Sequence, residues 1–505
     1  MPANPKSIQP MAAPDSGVTV RMYKTGFGDC FLLAFRGAGS KPVHMLIDCG
    51  VHGQWSGGGK RIVEIAEHIR ASTDGSLAVV AITHEHADHI SGFGAARSVF
   101  EGMKDVAEAW FGWTEKPGDR EVDALKNQRS RMVAGLRAAQ RSFAATDETA
   151  AGNLAGILGF FEVAAPDGTV LPITGAQAMD VVRKMARKQQ YLKPKCPPLT
   201  IPGVEGVRVF VLGPPVDRKY LLAAGPSGTP GEVYTEMALA AAMGAAGDQS
   251  AGGEEFQPFA GNFRILTDVA CEHKDDFKFF HEHYGFEKDD QEAWRRIDLD
   301  WQYAAESLAL KLDSATNNTS LVLAIELMNS GRVLLFPGDA QVGNWESWHE
   351  GDWSEENGLA KGEKITAKDL LGRTVLYKVG HHGSHNATLR EKGLEMMTSP
   401  ELVAMIPVDE EWALRRKPRP WKMPFNPLYS DLKVRTKGRI LRIDSGIAEP
   451  TEPGAWGTLK PLDKDLYLEL TIEDSEAGRG PGKRGKKERT ATAPRTRRQK
   501  QTPRR

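Results

Sequence analysis

The strongest chemical signal in the chain is a short run of metal-binding residue types. His84, His86, Asp88 and His89 fall within six positions, directly after the continuous apolar run of residues 77–82, which predicts a buried strand. Imidazole nitrogens and carboxylate oxygens together suit borderline metals, above all zinc. We expect His84 and His86 to bind one metal ion, and Asp88 and His89 to face a second.

Other residues of the same types also follow predicted strands. Asp48, Asp339 and the pair His381 and His382 each stand at or just beyond the end of one. Chemistry at the carboxyl ends of strands is typical of layered α/β proteins, so these side chains are candidates for the same site. The predicted strands concerned cover residues 43–47, 77–82, 333–336 and 375–379.

These motifs resemble those of a known superfamily. The run T-H-E-H-A-D-H-I-S-G at residues 83–92 is similar to the signature motif of the metallo-β-lactamase superfamily, and residues 46–50 are similar to its first motif. The resemblance implies an α/β fold, a metallo-β-lactamase-like αββα sandwich with helical and irregular insertions. It also implies that Asp48 orients the histidine loop through hydrogen bonds without touching metal, and that Asp339 bridges two metals.

A narrower resemblance extends over most of the chain, from about residue 18 to residue 446. Five short elements occur in the order found in the nuclease-like domain of the ComEC DNA-uptake proteins and their soluble relatives. These elements lie at residues 26–30, 212–214, 317–323, 338–339 and 381–384.

The chain departs from that pattern at two places. Many members of the superfamily carry another histidine before the bridging aspartate, where this chain has Asn317, Asn318 and Ser320. The ComEC-like proteins tend to carry a late His-Pro pair, where this chain has Met423 and Pro424. The second metal is therefore expected to lack a ligand, to bind weakly or to be completed by water.

The resemblance implies a metal-dependent hydrolase, specifically a phosphodiesterase or nuclease that uses a metal-bound hydroxide. One or two Zn²⁺ ions, or Mn²⁺, would lower the pKa of a bound water and neutralise charge on the substrate. Asp88 would hold the second ion and orient the nucleophile, and one of His381 and His382 would complete the cluster while the other donates to the leaving group. Asp88, Asp339 and His382 are the catalytic candidates. The metal-ligand candidates are His84, His86, Asp88, His89, Asp339, His381 and His382.

Two other functions remain open. The same scaffold can carry a small-molecule hydrolase that cleaves a lactone, a thioester or a β-lactam, although such enzymes are usually compact single domains. A catalytically weak binding or regulatory module is the third possibility, and the near-complete set of acidic and histidine ligands argues against it.

The 505 residues divide by composition. We expect a flexible N-terminus over residues 1–17 and one hydrolase domain over residues 18–472, whose last strand covers residues 440–443. Inserts lie near residues 100–185, where the pattern is mostly helical, and residues 216–315.

Residues 473–505 form a basic tail that we expect to be disordered. Its last 27 residues hold twelve Lys or Arg and one acid. The tail is either an arm that contacts polyanions such as nucleic acid or a solubilising end.

The remaining composition predicts a cytoplasmic protein without a membrane span. There is no run of eighteen apolar residues, and the N-terminal segment has no apolar core typical of a secretory signal. Four scattered cysteines make no disulfide framework and indicate a reducing compartment.

Overall fold

The computed structural model describes residues 8–475, apart from residues 147, 164, 166, 168, 172–173, 224–272, 274, 285–297 and 417–418. Within them the chain forms a mixed α/β structure with two mixed β-sheets. The basic tail from residue 476, residues 1–7 and most of the 216–315 insert lie outside the described residues.

The first sheet has eight strands in the order β14-β15-β1-β2-β3-β4-β5-β6. Strands β3, β4, β5 and β6 pair in parallel, and the other neighbours pair antiparallel. The strands are β1 (Gly17–Tyr23), β2 (Cys30–Arg36), β3 (Pro42–Cys49), β4 (Ser76–Ile82), β5 (Asp105–Gly112), β6 (Lys188–Leu192), β14 (Leu462–Asp463) and β15 (Tyr467–Glu473).

The second sheet has seven strands in the order β13-β12-β11-β10-β9-β8-β7. Its centre, from β9 to β12, is parallel and its flanks are antiparallel. The strands are β7 (Val207–Gly213), β8 (Val322–Leu327), β9 (Val333–Phe336), β10 (Thr374–Lys378), β11 (Val403–Ile406), β12 (Ile440–Arg442) and β13 (Gly446–Ile447).

Helices connect the strands. Helix α1 illustrates the sequence pattern that favours a helix packed on a sheet. Its apolar residues Ile62, Ile65, Ala66 and Ile69 recur at helical spacing, and all four are buried on one face. The described helices are α1 (Gly58–Ser72), α2 (Ala87–Ala95), α3 (Arg97–Glu101), α4 (Arg120–Thr146), α5 (Glu148–Leu158), α6 (Gly175–Met185), α7 (Arg218–Leu221), α8 (Lys278–His283), α9 (Asp298–Asn317), α10 (Val342–Ser347), α11 (Ala367–Gly372), α12 (Glu410–Leu414) and α13 (Asn426–Arg435).

Three buried clusters organise the two sheets. One contains residues of both sheets, such as Phe31 and Ile47 with Leu323 and Leu334, so the sheets share a core. A second joins the first sheet to α1, α2, α3 and α6. The third joins the second sheet to α10, α11, α12 and α13. Each sheet therefore packs against its partner sheet through one cluster and against helices through another.

A fourth cluster lies apart from the sheets. Apolar side chains of α4, α5 and α9 pack together, among them Leu136, Leu154 and Leu308. Helices α4 and α5 belong to the segment predicted as mostly helical, and α9 ends the second insert. The three helices form one unit, called here the helical insertion.

The predicted strands of the site agree with the structure, but the prediction of the last strand is wrong. Residues 440–443 are not the last strand, because β15 pairs with β1 along its whole length. The segment predicted as mostly helical contains α4, α5 and α6, and it begins with one strand, β5, which pairs with β4 and β6. Chain contacts also begin before Val18, since the backbone N–H of Met11 donates to the carbonyl of Ser72. None of the helices that the structure describes has the length and apolarity needed to cross a membrane.

Candidate metal centre

The candidate residues meet where strands of both sheets end. Asp48 lies in β3, and the histidine loop follows its parallel neighbour β4. Asp339 follows β9, and His381 and His382 follow the parallel neighbour β10. Because parallel neighbours end at the same edge of a sheet, each sheet presents its polar residues together. The eight predicted site residues are all buried.

Four of these residues form a compact group. Ligand atoms of Asp88, His89, Asp339 and His382 all lie within 4.8 Å of one another. Asp88 Oδ2 lies 2.8 Å from His382 Nε2 and 3.6 Å from His89 Nε2, and Asp339 Oδ2 lies 3.1 Å from His89 Nε2. Two imidazoles and two carboxylates at this spacing can hold a metal ion.

His84 and His86 form a pair beside this group. His84 Nε2 lies 3.0 Å from His86 Nδ1, and the ring centroids of His84 and His89 are 4.2 Å apart. Burial, with the nearby histidines, holds the pKa of His84 well below its ordinary value. Burial also lowers the pKa of His86 to about 4. Both imidazoles are therefore neutral at pH 7, the form in which histidine binds metal.

The donor set fits a metal because several of its buried atoms have no hydrogen-bond partner. They are His86 Nε2, Asp88 Oδ1, His89 Nε2 and Asp339 Oδ2. The short contact between His89 and Asp339 brings their atoms to ion-pair distance without hydrogen-bond geometry. Unsatisfied polar atoms in a protein interior cost about 1–3 kcal/mol each, and a bound cation would satisfy these.

The charges of the site also favour a cation. Burial lowers the pKa of His89, but the charges of Asp339, Asp88, Asp29 and Asp48 outweigh burial and hold it well above its ordinary value. These carboxylates therefore favour a positive charge at His89, supplied by a proton or by a cation. Metal binding would displace that proton.

Asp48 orients this histidine without joining the group of four. Its Oδ1 accepts from the Thr83 backbone N–H at 2.8 Å, and its Oδ2 accepts from the Thr83 hydroxyl at 2.7 Å. Oδ2 also lies 2.7 Å from His89 Nδ1. The contact with Asp48 engages Nδ1 of His89, so Nε2 of the same ring faces Asp339. His382 is held in the same way, since its Nδ1 donates to the Pro407 carbonyl at 2.6 Å.

A buried lysine fixes the orientation of Asp339. Lys378 Nζ lies 3.1 Å from Asp339 Oδ1, 2.5 Å from Asp29 Oδ2 and 2.8 Å from the Gly338 carbonyl oxygen. The backbone N–H of His381 also donates to Asp339 Oδ1, at 2.9 Å. Burial raises the pKa of Asp339, but His89 and Lys378 together hold it well below its ordinary value. The carboxylate is thus ionised, with Oδ2 left for a ligand.

Close backbone approach around the histidine loop requires glycine at two positions. A Cβ on Gly50 would lie 2.3 Å from the Asp88 carbonyl carbon. One on Gly28, where φ is +155°, would lie 2.6 Å from the Asp88 carbonyl oxygen. Backbone contacts of this kind are open only to glycine, so these residues let the β1–β2 turn and the end of β3 support the loop.

His381 and His382 both occupy the left-handed region, with φ of 45° and 53°. Such a conformation costs a non-glycine residue about 1–2 kcal/mol, and two in succession indicate a conformation imposed by the site. The turn separates the roles of the two rings. His382 enters the group of four, whereas His381 Nδ1 lies 3.3 Å from Gln341 Nε2 and the residue stays outside that group.

The residues that replace the expected histidine support the site. Ser320 Oγ accepts from the Asp339 backbone N–H at 3.1 Å and lies 3.5 Å from His84 Nδ1. Asn318 Oδ1 accepts from the Asn344 backbone N–H at 3.1 Å. Asn317 Nδ2 donates to Asp313 Oδ2 at 3.2 Å.

Three ionisable residues near the site have no role predicted from the sequence. Asp29 lies in the matched element at residues 26–30, to which the resemblance assigns no site role, and Lys378 lies within a predicted buried strand. Asp313 lies one helical turn before Asn317 and belongs to no motif predicted from the sequence. Burial and the charges of Asp339 and Asp88 raise its pKa to about 8, and its Oδ1 has no partner. A carboxylate four residues before Asn317 on one helical face was the available signal.

Comparisons with known proteins add no relative. No family model, no curated protein and no solved structure matches the chain.

Proposed function

We propose that the chain is a metal-dependent hydrolase with a metallo-β-lactamase-like αββα sandwich, acting as a phosphodiesterase. The observation that carries the proposal is the buried group of Asp88, His89, Asp339 and His382. Several buried polar atoms of this group have no hydrogen-bond partner. Two sheets that share a core, each covered by helices, support the sandwich. Zn²⁺, as one or two ions, is the proposed cofactor, with Mn²⁺ as the other candidate.

Bound ions of this kind activate water at neutral pH and neutralise charge on a phosphoryl oxygen. The protein would contribute fixed geometry. Asp48 and the Pro407 carbonyl set the ring directions of His89 and His382. Lys378 sets the direction of Asp339. A site held in this way needs little reorganisation during reaction, which is the main source of electrostatic catalysis.

His381 is the proposed contact to the substrate. Its Nδ1 accepts from Gln341, so its proton lies on Nε2. Burial lowers the pKa of His381 to about 4, so the ring is neutral at pH 7. It would therefore donate a hydrogen bond to the substrate or to the leaving-group oxygen through Nε2.

A small-molecule hydrolase is the second candidate, and the enclosure of the site favours it. Each of the four grouped residues has an exposed fraction of 0%. Aromatic side chains also enclose the site. The ring centroids of Phe27 and His382 lie 4.0 Å apart, and Trp421 stacks on Phe160 with ring centroids 5.5 Å apart. A lactone or thioester fits such a site more easily than a duplex.

A substrate panel on the metal-loaded protein distinguishes the candidates. The panel holds bis-p-nitrophenyl phosphate, single-stranded and plasmid DNA, an acyl-homoserine lactone, a thioester and a chromogenic β-lactam. Phosphodiester hydrolysis that a chelator abolishes supports the proposal. Cleavage of the lactone, thioester or β-lactam alone establishes the second candidate. A fully loaded protein that cleaves none of them is a binding module.

A further inference from the structure

The helical insertion is not a separate appendage, because it packs against the candidate site together with the two phenylalanines that follow α5. Phe160 and Phe161 follow α5, and their ring centroids lie 5.4 Å and 4.9 Å from that of His86. The Gly156 carbonyl oxygen lies 3.2 Å from His52 Nε2, and the Ala155 carbonyl accepts from Gln54 Nε2 at 2.7 Å. One end of α5 is therefore fixed against the loop that follows β3.

A second contact reaches the histidine loop itself. Arg129 on α4 forms an ion pair of 2.7 Å with Glu85, the residue between His84 and His86. Both side chains are largely buried, with exposed fractions of 11% and 13%. One turn earlier on the same helix face, Lys126 Nζ lies 2.8 Å from the buried Glu115 Oε2. Helix α4 thus pairs Arg129 with Glu85 and Lys126 with Glu115, and both of these glutamates are largely buried.

The position of Glu85 gives this ion pair a consequence for metal binding. Thr83 to His86 connect β4 to α2 without helical structure, and the chain bends at Glu85. Glu85 faces α4 while His84 and His86 face each other across 3.0 Å. Rotation of the segment would move all three side chains together, and an anchored Glu85 prevents it.

We propose that Arg129 is a positioning residue, through which the helical insertion holds the histidine loop in its metal-binding conformation. The inference rests on the proposed metal centre and gives the insertion a role in it. Arg129 pairs with Glu85 and not with a donor atom of the candidate metal ligands. It acts through Glu85, one residue further from the ligands than the direct hydrogen-bond partners whose loss typically costs 10- to 100-fold in metal affinity.

The test is the Zn²⁺ affinity of the full-length protein, measured by competition with a fluorescent chelator. Arg129→Met should weaken Zn²⁺ binding by up to about 10-fold, less than the loss of a residue that bonds a ligand directly. Arg131→Met is the matched control, since Arg131 lies on the same helix and is exposed. It should bind Zn²⁺ like the wild type. Arg129→Lys keeps the charge and should recover part of the affinity.

A double variant separates positioning from folding. Arg129→Met leaves Glu85 enclosed without its cation, whereas Glu85→Gln with Arg129→Met removes both charges and should restore the melting temperature of the metal-free protein. The double variant should still bind Zn²⁺ weakly, because the anchor is missing. Wild-type affinity in a folded Arg129→Met protein, or in the double variant, overturns the inference.

The readout needs no substrate, so failure of the hydrolase proposal is recognisable. A wild type that binds Zn²⁺ but hydrolyses nothing leaves the affinity comparison decisive for Arg129. A wild type that takes up neither Zn²⁺ nor Mn²⁺ overturns the metal centre and this inference together.

Discussion

His382 Nε2 lies 2.8 Å from Asp88 Oδ2, although 294 residues separate them in the chain. Asp88 lies in the first turn of α2, which follows a strand of the first sheet, and His382 follows a strand of the second. The contact therefore closes the candidate site across both sheets. Metal binding and the relative position of the sheets should consequently depend on each other.

The first prediction concerns metal content. Purified protein should hold between one and two equivalents of zinc or manganese, and His86→Ala should remove most of it, because each lost ligand greatly lowers affinity. His273→Ala is the control, since His273 is exposed and belongs to the second insert. Elemental analysis after gel filtration measures both. Full metal content in His86→Ala, or loss in His273→Ala, would contradict the assignment.

The second prediction concerns Asp48. In Asp48→Asn the amide replaces the anion beside His89 Nδ1, so the ring loses the acceptor that directs Nε2 toward Asp339. Zn²⁺ affinity should fall by about 10- to 100-fold, less than in His86→Ala. Chelator competition ranks the two variants. Loss of all metal from Asp48→Asn would indicate that Asp48 is itself a ligand.

The third prediction concerns acid stability. Burial lowers the pKa of His52 to about 3, and both ring nitrogens are engaged, Nε2 with the Gly156 carbonyl and Nδ1 with the Gln54 backbone N–H. The unfolded chain binds a proton here near pH 6.5, whereas the folded protein does not. Stability is therefore lost as the pH falls from about 6.5 toward 3, by up to about 1.4 kcal/mol per pH unit for this group.

His52→Gln removes this titration while offering a donor and an acceptor. Urea unfolding between pH 7 and pH 4.5 should show a shallower loss of stability in the variant than in the wild type. Parallel pH profiles for the two proteins would show that His52 is protonated in the folded state.

The fourth prediction concerns the basic tail. Removal of residues 479–505 should leave the melting temperature nearly unchanged. If the tail contacts DNA, its removal should weaken DNA binding and flatten the salt dependence, by about 0.9 in the log–log slope for each lost phosphate contact. A tail with every Lys and Arg replaced by Gln is the matched control. An unchanged slope in both proteins identifies the tail as a solubilising end.

The sequence predicted the parts of the site that depend on local pattern. An apolar run followed by His84 or Asp339 marks a buried strand with polar residues at its end, and parallel pairing then brings such ends together. The sequence does not predict the role of Lys378, because that role depends on Asp29 and Asp339, which lie far away in sequence. No local pattern records such a contact.

The insertion and the final strand show the same limit. Arg129 looks like an ordinary charge on a helix, and only tertiary packing reveals that it reaches Glu85. Strand β15 alternates between more and less buried residues, but its partner β1 lies at the other end of the chain. Helical and strand periods are local properties, whereas the pairing of distant segments is not.

The central claim is that Asp339 is part of a hydrolytic metal centre. Asp339→Asn should preserve the fold, because the amide keeps the Oδ1 acceptor for Lys378 and His381 and changes only the Oδ2 side. Removal of the negative charge should weaken and displace the bound cation, and such losses of preorganised electrostatics commonly cost about 100- to 1000-fold in rate.

The most direct measurement is the rate of bis-p-nitrophenyl phosphate hydrolysis by Asp339→Asn and wild-type protein, purified in parallel and loaded with Zn²⁺ or Mn²⁺. We expect the variant's rate to fall by about 100-fold or more while its far-UV circular dichroism and melting temperature shift only slightly. Equal rates in the two proteins would contradict the account, because the activity would then come from elsewhere.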